Sequence, residues 1–443
     1  MNKNNLVRDH NHSSFRFLGQ VHHTIRMRSA SATAISSRIT HIAAILLFAA
    51  SCTSMQSPPQ CPACPVCPAC PQPAKPVAEQ ASYEPAEFAA LPGWQSATLL
   101  PGVKAFIAGC ARIAATSPLR KACDAARRVD PLDEASARRF IESAFSLYSI
   151  IAPDRSAQGL VTGYYEPILA GSRKRTATSR FPVYGVPDDL VVVDLAEQHP
   201  DLRGLRLRGR IEGRRLVPYW SRAEFENRGR ASDGVVPGVP VLAWVRDPVE
   251  LFFLQIQGSG QIQLESGERL RLGYADQNGH AYRSLGRYLI DRGELTLEQS
   301  SMQGIRAWAR ANPEKLADAL NSNPSYVFFR ASDSTSGPIG SLGVPLTAGY
   351  SIAVDPRFVP LGAPVFLATT MPLSTQPLER LVVAQDTGGA IRGAVRADFF
   401  WGTGDSAGAH AGRMRQQGTM WLLWPRGDPP PTSSASPPRR AGS

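Results

Sequence analysis

Apolar positions recur at helical spacing in two parts of the chain. From Thr98 to Tyr148 they return every three or four residues, which predicts a helical segment. Within it, Asp130 followed by Pro131 predicts a helix cap with proline at the first helical position. Residues 284–320 repeat the helical pattern, and their core-facing candidates include Trp308.

Short apolar runs separated by turns fill most of the remaining chain. Examples are residues 181–184, 239–245 and 251–257, each of strand length. Further runs of this kind extend from residue 345 to 424. Turns every eight to twelve residues are typical of a barrel or sandwich, so we expect a mainly β body with a helical N-terminal segment.

The N-terminus has the pattern of an export signal. Arginines precede an apolar run at 39–50, and small residues then lead directly into Cys52. The run is too short to span a bilayer comfortably, so we expect residues 1–51 to be a leader, with Met27 as an alternative start. Small residues before a cysteine favour lipidation of Cys52. Simple cleavage that leaves a free Cys52 is the alternative.

The seven cysteines fall into distinct settings. Four of them lie in the proline-punctuated run 61–70, which favours an extended spacer and cannot easily wrap a tetrahedral metal. We therefore expect residues 52–80 to be a Pro/Cys-rich tether with no metal. Cys110 and Cys123 lie in the helical segment, where they could form a disulfide, but their sequence leaves the pairing open.

Charge and motif content exclude several classes of function. The net charge is +11, yet the basic residues are scattered and form no helix-turn-helix or RNP-like motif, so no nucleic-acid partner is expected. No His/Glu spacing resembles a zinc site, and no glycine-rich loop carries the lysine of a phosphate-binding loop. No cofactor is expected.

Aspartates at strand ends are the strongest candidates for chemistry. Asp355 precedes a proline turn, where capping of the turn is the favoured role. Asp386 enters a glycine-rich turn, and Asp398 lies between an apolar strand and the aromatic run 399–401. Because neighbouring aromatic rings desolvate a carboxyl and raise its pKa, we expect Asp398 to be a general acid.

The motifs around these aspartates resemble those of a known family. The C-terminal block looks like the three-aspartate domain, and the rest resembles the membrane-bound lytic murein transglycosylase A family. The segments that carry the likeness are 162–167, 254–260, 274–284, 326–329, 384–393 and 396–402, together with Asp355.

That resemblance implies a double-psi β-barrel domain, made from two separated chain segments, with a second barrel-like domain inserted between them. Residues 81–165 would supply the helical segment and the first part of the barrel, and 166–335 the inserted glycan-groove domain. Residues 336–425 would complete the catalytic barrel, and 426–443 would be a disordered tail.

The same resemblance implies cleavage of the β-1,4 bond between N-acetylmuramic acid and N-acetylglucosamine, with 1,6-anhydromuramoyl ends as product. Asp398 would be the single acid/base and Asp386 its support. Implied glycan contacts are Thr162, Gly163, Tyr164, Gln255, Gln257, Gly258 and Ser259. Implied partners are peptidoglycan strands, the membrane through a lipid anchor, and other cell-wall enzymes. The expected location is the periplasmic face of the outer membrane, or the periplasm without lipidation.

Two rival functions remain to be weighed. Residues 382–388 loosely resemble half of an aspartic protease site, but such proteases need two aspartates that share a proton, and the chain has one Asp-Thr-Gly. A non-catalytic wall-binding lipoprotein would keep the groove motifs and would not need Asp398.

Overall fold

The structure, a computed structural model, describes residues 80–199, 202, 205, 207–332 and 334–432. The leader, Cys52, the four clustered cysteines and residues 433–443 lie outside this range. No helix within the described residues is both long and apolar enough to cross a membrane.

The strands and helices follow in chain order. The strands are β1 (Ser82–Ala86), β2 (Phe145–Ile151), β3 (Gln158–Glu166), β4 (Ile168–Ser172), β5 (Phe181–Tyr184), β6 (Val191–Val192), β7 (Arg208–Glu212), β8 (Arg215–Pro218), β9 (Val241–Val245), β10 (Ser259–Leu264), β11 (Arg269–Gln277), β12 (Val327–Ala331), β13 (Ser351–Val354), β14 (Pro364–Thr370), β15 (Pro377–Asp386), β16 (Ala397–Thr403) and β17 (Arg415–Pro425). The helices are α1 (Leu100–Gly109), α2 (Leu119–Ala126), α3 (Glu134–Ala144), α4 (Arg222–Arg230), α5 (Pro248–Gln257), α6 (Leu285–Asp291), α7 (Met302–Ala311), α8 (Pro313–Asn321) and α9 (Asp405–Ala411).

A ring of six strands forms the main barrel. Its order is β17-β14-β15-β13-β16-β3, and the ring closes because β17 pairs with both β14 and β3. The pairs β13–β15 and β16–β3 are parallel, while β1 and β2 extend the sheet outward from β17. The barrel is thus built from chain segments on both sides of an insertion.

Helices α1 to α3 pack on the barrel and share its hydrophobic core. Trp94, Phe106 and Phe366 are among the largest fully buried side chains of this core. Cys110 and Cys123 form a disulfide, which joins the turn after α1 to α2 and resolves the pairing that the sequence left open.

The helical prediction for residues 98–148 is wrong at its end and at its cap. Helix α3 stops at Ala144, and the next seven residues form β2, whose β-branched Ile150 and Ile151 suit a strand paired with β17. The cap is Asp133 rather than Asp130, because the Asp133 carboxylate accepts a 2.7 Å hydrogen bond from the Ser136 amide.

The strand predicted at 251–257 is also wrong, since these residues belong to helix α5. The Asp247 carboxylate caps the helix by accepting from the Val249 amide at 2.7 Å, and Pro248 occupies the first turn. Gly258 ends the helix with φ of 77°, a conformation that favours glycine. Ser259 is the first residue of β10.

The inserted region lies between β3 and β13 and has its own core. Its main sheet has the order β12-β11-β10-β4-β9-β5, and a smaller sheet contains β6, β7 and β8. Helix α5 packs on the main sheet, and α6, α7 and α8 form an adjoining helical layer. The strands predicted at 181–184 and within 239–245 are confirmed as β5 and β9.

Candidate active site

Two strands that are far apart in sequence bring Thr162 beside Asp398. Strands β3 and β16 are parallel neighbours, and these two residues are direct partners in the ladder, so their side chains leave the same face. The Thr162 hydroxyl donates a hydrogen bond of 2.6 Å to Oδ1 of Asp398. The contact spans 236 positions of the chain and is formed by the pairing of β3 with β16.

Arg396 fixes the same hydroxyl from the other side. Its Nη2 donates to Oγ1 of Thr162 at 2.8 Å, while its Nη1 donates to the carbonyls of Leu160, at 3.3 Å, and Ala397. The guanidinium is therefore held by two strands, and Thr162 lies between the cation and Asp398.

Asp386 is enclosed by hydrogen-bond donors. Its Oδ1 accepts from the amide and hydroxyl of Ser341 and from the amide of Thr387, each at 2.9 Å. Its Oδ2 accepts from the Tyr164 hydroxyl at 3.1 Å. Both oxygens thus have fixed partners, which suits a supporting group better than a proton shuttle.

The electrostatic surroundings make Asp398 a weak acid. Burial raises the pKa of Asp398 to about 6, with a smaller upward contribution from the negative charge of Asp386. The Thr162 hydrogen bond and the Arg396 charge act in the opposite direction. Burial also raises the pKa of Asp386, against its hydrogen bonds. Asp398 can therefore hold and release a proton in mildly acidic solution.

Asp355 has the structural role that its turn predicts. Its buried carboxylate forms a two-pronged ion pair with Arg357, including a 2.7 Å contact, and accepts from the Gly393 amide at 3.0 Å. Burial alone would raise the pKa of Asp355, but these partners lower it below its ordinary value. Asp355 therefore stays ionised and ties its turn to the loop before Asp398.

The aromatic run beside Asp398 divides between two faces of β16. Phe400 packs against Tyr164 with 5.1 Å between ring centroids, on the same side as Asp398. Phe399 and Trp401 instead belong to the main barrel core. Because side chains alternate between the two faces of a strand, Phe400 is the one of the three expected rings that lies on the side of Asp398 and can desolvate its carboxyl.

A cavity of about 210 Å³ lies between the barrel and the inserted region. Gly163 and Tyr165 of β3 line it on the barrel side, and Gln257, Tyr282 and Ser284 line it on the other. Asp398 and Asp386 are not among its lining residues. Strand β3 connects the cavity to Asp398, because it lines the cavity and also pairs with β16. A Cβ at Gly163 would come within 2.6 Å of the Trp401 indole nitrogen, so the position requires glycine.

The remaining predicted glycan contacts lie in the inserted region but differ in setting. The side-chain Oε1 of Gln257 accepts from the Tyr165 backbone amide at 3.0 Å and joins α5 to β3. Gln255 is 4% exposed and contacts Tyr326 inside the inserted region, away from the cavity lining. Gly258 is the cap of α5, and Ser259 follows it at the start of β10.

Three residues of the site were not given a role from the sequence. Arg396 precedes Asp398 by two positions, a strand spacing that places both side chains on one face and was therefore a usable signal. Ser341 carries no such signal because its contact with Asp386 depends on the fold. Glu166 is fully buried where the two parts of the body meet, and it bonds to Thr403 and Gln261 at 2.8 Å. No group of three potential metal ligands occurs within the described ranges.

Comparison with known proteins agrees with this arrangement. The MltA specific insert domain matches residues 160–330, and the 3D domain matches residues 350–424. The membrane-bound lytic murein transglycosylase A of Escherichia coli K12 is 35% identical over 272 residues, which cover 59% of this chain and 64% of that protein. The match therefore spans slightly less than two thirds of the relative's length.

Two solved structures extend the similarity. The crystal structure of MltA from Neisseria gonorrhoeae is 40% identical with a TM-score of 0.69, and the alignment covers 79% of this chain and 94% of that one. E. coli MltA with bound chitohexaose is 26% identical with a TM-score of 0.57, over 79% and 95% of the two chains. The barrel carries the acidic site at its strand ends, and a second region is inserted into it. This arrangement defines a two-domain class of protein in which the 3D domain is combined with the MltA specific insert domain. The chain belongs to the membrane-bound lytic murein transglycosylase A family.

Proposed function

We propose that the protein is a peptidoglycan lytic transglycosylase that cleaves the β-1,4 bond between N-acetylmuramic acid and N-acetylglucosamine. The observation that carries the proposal is the difference between the environments of Asp398 and Asp386. Asp398 has a pKa of about 6 and one carboxylate oxygen engaged by Thr162, whereas Asp386 has partners on both oxygens. One exchangeable acid and one fixed carboxylate fit a single-acid mechanism.

The chemistry needs only that one acid. Hydrolytic glycosidases ordinarily place two carboxyl groups on either side of the scissile bond. Here protonated Asp398 gives its proton to the glycosidic oxygen as the bond from muramoyl C1 breaks. The Asp398 carboxylate then accepts the proton of the muramoyl C6 hydroxyl as O6 bonds to C1. The product is a 1,6-anhydro ring, no water is consumed, and Asp398 is again protonated.

The proposed substrate is the glycan strand of peptidoglycan. The E. coli relative has been solved with chitohexaose, a neutral β-1,4 glycan, which supports binding of such a chain here. Tyrosine rings and amide or hydroxyl groups suit stacking and hydrogen bonding to neutral sugars. The proposed contacts are Thr162, Gly163, Tyr164, Gln255, Gln257, Gly258 and Ser259.

Location and architecture belong to the same proposal. The relatives are described as membrane-bound, which supports association of this protein with the outer membrane through a lipid on Cys52, facing the periplasm. Without that lipid the protein would be periplasmic. The six-stranded ring with two parallel pairs supports a double-psi barrel formed from 81–165 and 336–425 around the insert 166–335. Other cell-wall enzymes are candidate partners.

Digestion of purified sacculi tests the activity. Soluble products should be anhydro-muropeptides, each one water lighter than the corresponding hydrolysis product, as measured by mass spectrometry. Asp398→Asn should release none above background, while Asp233→Asn, which changes a fully exposed carboxylate, should match the unaltered protein. The proposal would be rejected if the products had the mass expected of hydrolysis, if only peptides were trimmed, or if the unaltered protein released nothing.

A further inference from the structure

Two hydrogen bonds in series connect Arg396 to Asp398 through the hydroxyl of Thr162. Arg396 Nη2 lies 2.8 Å from Oγ1 of Thr162, and that Oγ1 lies 2.6 Å from Oδ1 of Asp398. The arginine is held in turn by the carbonyl of Leu160 on the same strand as Thr162. The guanidinium of Arg396, where this series of hydrogen bonds begins, is therefore held in position.

The direction of these bonds follows from the donors available. A guanidinium only donates, so it must use a lone pair of the Thr162 oxygen. The hydroxyl has one proton, and the acceptor at 2.6 Å is Oδ1 of Asp398. Within the described residues, Oδ2 of Asp398 has no hydrogen-bond partner. The two carboxylate oxygens are therefore chemically distinct before any substrate binds.

We propose that Arg396 is a positioning residue that commits the Thr162 proton to Oδ1 of Asp398 and so reserves Oδ2 for the transferred proton. The inference rests on the proposed function and adds the identity of the reacting oxygen. Arg396 uses one of the two lone pairs of the Thr162 oxygen, and the Thr162 proton is donated to Oδ1. Protonation of Oδ1 would place a second proton in that 2.6 Å contact unless the Thr162 proton turned away from its acceptor. Oδ2 therefore carries the proton that moves to the glycosidic oxygen.

Other charged groups around Asp398 do not provide this link. The titratable and charged groups on the elements packed against β16 are Tyr164, Tyr165 and Glu166 on β3, Asp355 after β13, and Asp405 and His410 on α9. The next strands of the ring carry Glu379, Arg380 and Asp386 on β15 and Arg415 on β17. Asp355 is paired with Arg357, and His410 stacks on Trp401. Arg396 is the cation whose charge and contacts both reach the acid.

The test compares Arg396→Gln, Thr162→Val and the double variant with the unaltered protein. The control is Arg426→Gln, which removes another guanidinium that donates to backbone carbonyls, at the far end of β17. Anhydro-muropeptide release is followed against pH. The Asp398 carboxyl is titrated independently by infrared difference spectra against Asp398→Asn in the same background.

We expect Arg396→Gln to raise the pKa of Asp398 by about one unit and to lower cleavage about tenfold at pH 5, where the acid is protonated in both proteins. Thr162→Val should act in the same direction, and the double variant should cleave no more slowly than the slower single variant. Arg396→Lys should restore part of both effects.

Folded Arg396→Gln with the unaltered pKa and rate would overturn the inference. So would additive losses in the double variant, or equal changes in Arg426→Gln. Absence of anhydro ends from the unaltered protein would instead reject the proposed function, and the infrared titration would still decide whether Arg396 acts on Asp398.

Discussion

Replacing Asp398 by asparagine should stabilise the fold while abolishing cleavage. Asparagine has nearly the same shape, and its carbonyl oxygen can still accept the Thr162 hydrogen bond. It lacks the negative charge that burial penalises. The buried, ionised carboxylate of Asp398 therefore destabilises the folded protein, and the substitution removes this effect. Its size depends on pH because it requires the ionised form.

The size of the effect follows from proton linkage. The ordinary aspartate pKa of 3.8 describes the unfolded chain, and the folded value is about 6. Between these values the folded protein binds more protons than the unfolded one, so its stability falls as pH rises from about 4 to about 6. The difference of about two units corresponds to about 3 kcal/mol as an upper bound. Below pH 4 the penalty is absent.

Thermal unfolding at pH 4, 6 and 8 measures this dependence. Asp398→Asn should match the unaltered protein at pH 4 and melt a few degrees higher at pH 8. Asp355→Asn is the matched control in the same barrel because its folded pKa is lowered by Arg357 and Gly393. The stability that Asp355 supplies is present above its unfolded pKa and is lost as pH falls through its folded pKa, so this variant should be destabilised by about 3–5 kcal/mol at pH 8.

An Asp398→Asn variant that is no more stable than the unaltered protein at pH 8, or that gains the same stability at pH 4, would contradict a raised pKa of Asp398 in the folded protein. A gain of equal sign for both variants would also refute it, because the two carboxylates have opposite pKa shifts.

Two further predictions concern pH and the disulfide. Cleavage of sacculi, measured as kcat/KM, should fall about tenfold between pH 5 and pH 7. An acid with a pKa of about 6 is mostly protonated at pH 5 and mostly ionised at pH 7. A flat pH profile would contradict the role of Asp398. Replacing both Cys110 and Cys123 by serine should lower stability by about 2–4 kcal/mol, since their bridge closes a loop of 13 positions. The double variant should keep its cleavage rate at 25 °C, and a melt with and without reductant on the unaltered protein provides the control.

Asp398 could be singled out from the sequence as the candidate acid because its signals are local. Asp398 lies at the start of a strand rich in aromatic residues, and Arg396 is placed two positions earlier by the strand period. Thr162 could be linked to this site only through resemblance to the family. Its partner is 236 positions away, and no local pattern encodes the closure of the ring through β17.

The wrong assignments have physical causes that the structure identifies. Residues 251–257 are almost uniformly apolar, and such a short run has no period that separates a strand from a helix. The flanking residues Asp247 and Gly258, which cap the helix in the structure, were the usable signals that the strand prediction did not take into account. At α3, apolar spacing continued past Ala144 into β2, where pairing with β17 overrides helical propensity.

The candidate site is divided between two chain segments, and the insertion follows β3, which ends at Glu166. Asp398 lies on the C-terminal segment, and the hydroxyl that bonds to it lies on the N-terminal segment, four residues before Glu166. The buried Glu166 carboxylate accepts hydrogen bonds from Thr403 of the barrel and Gln261 of the insert, and it forms an ion pair with Arg271 of the insert at 3.0 Å. One carboxylate therefore holds both parts of the body next to the strand pair β3–β16 that carries Thr162 and Asp398.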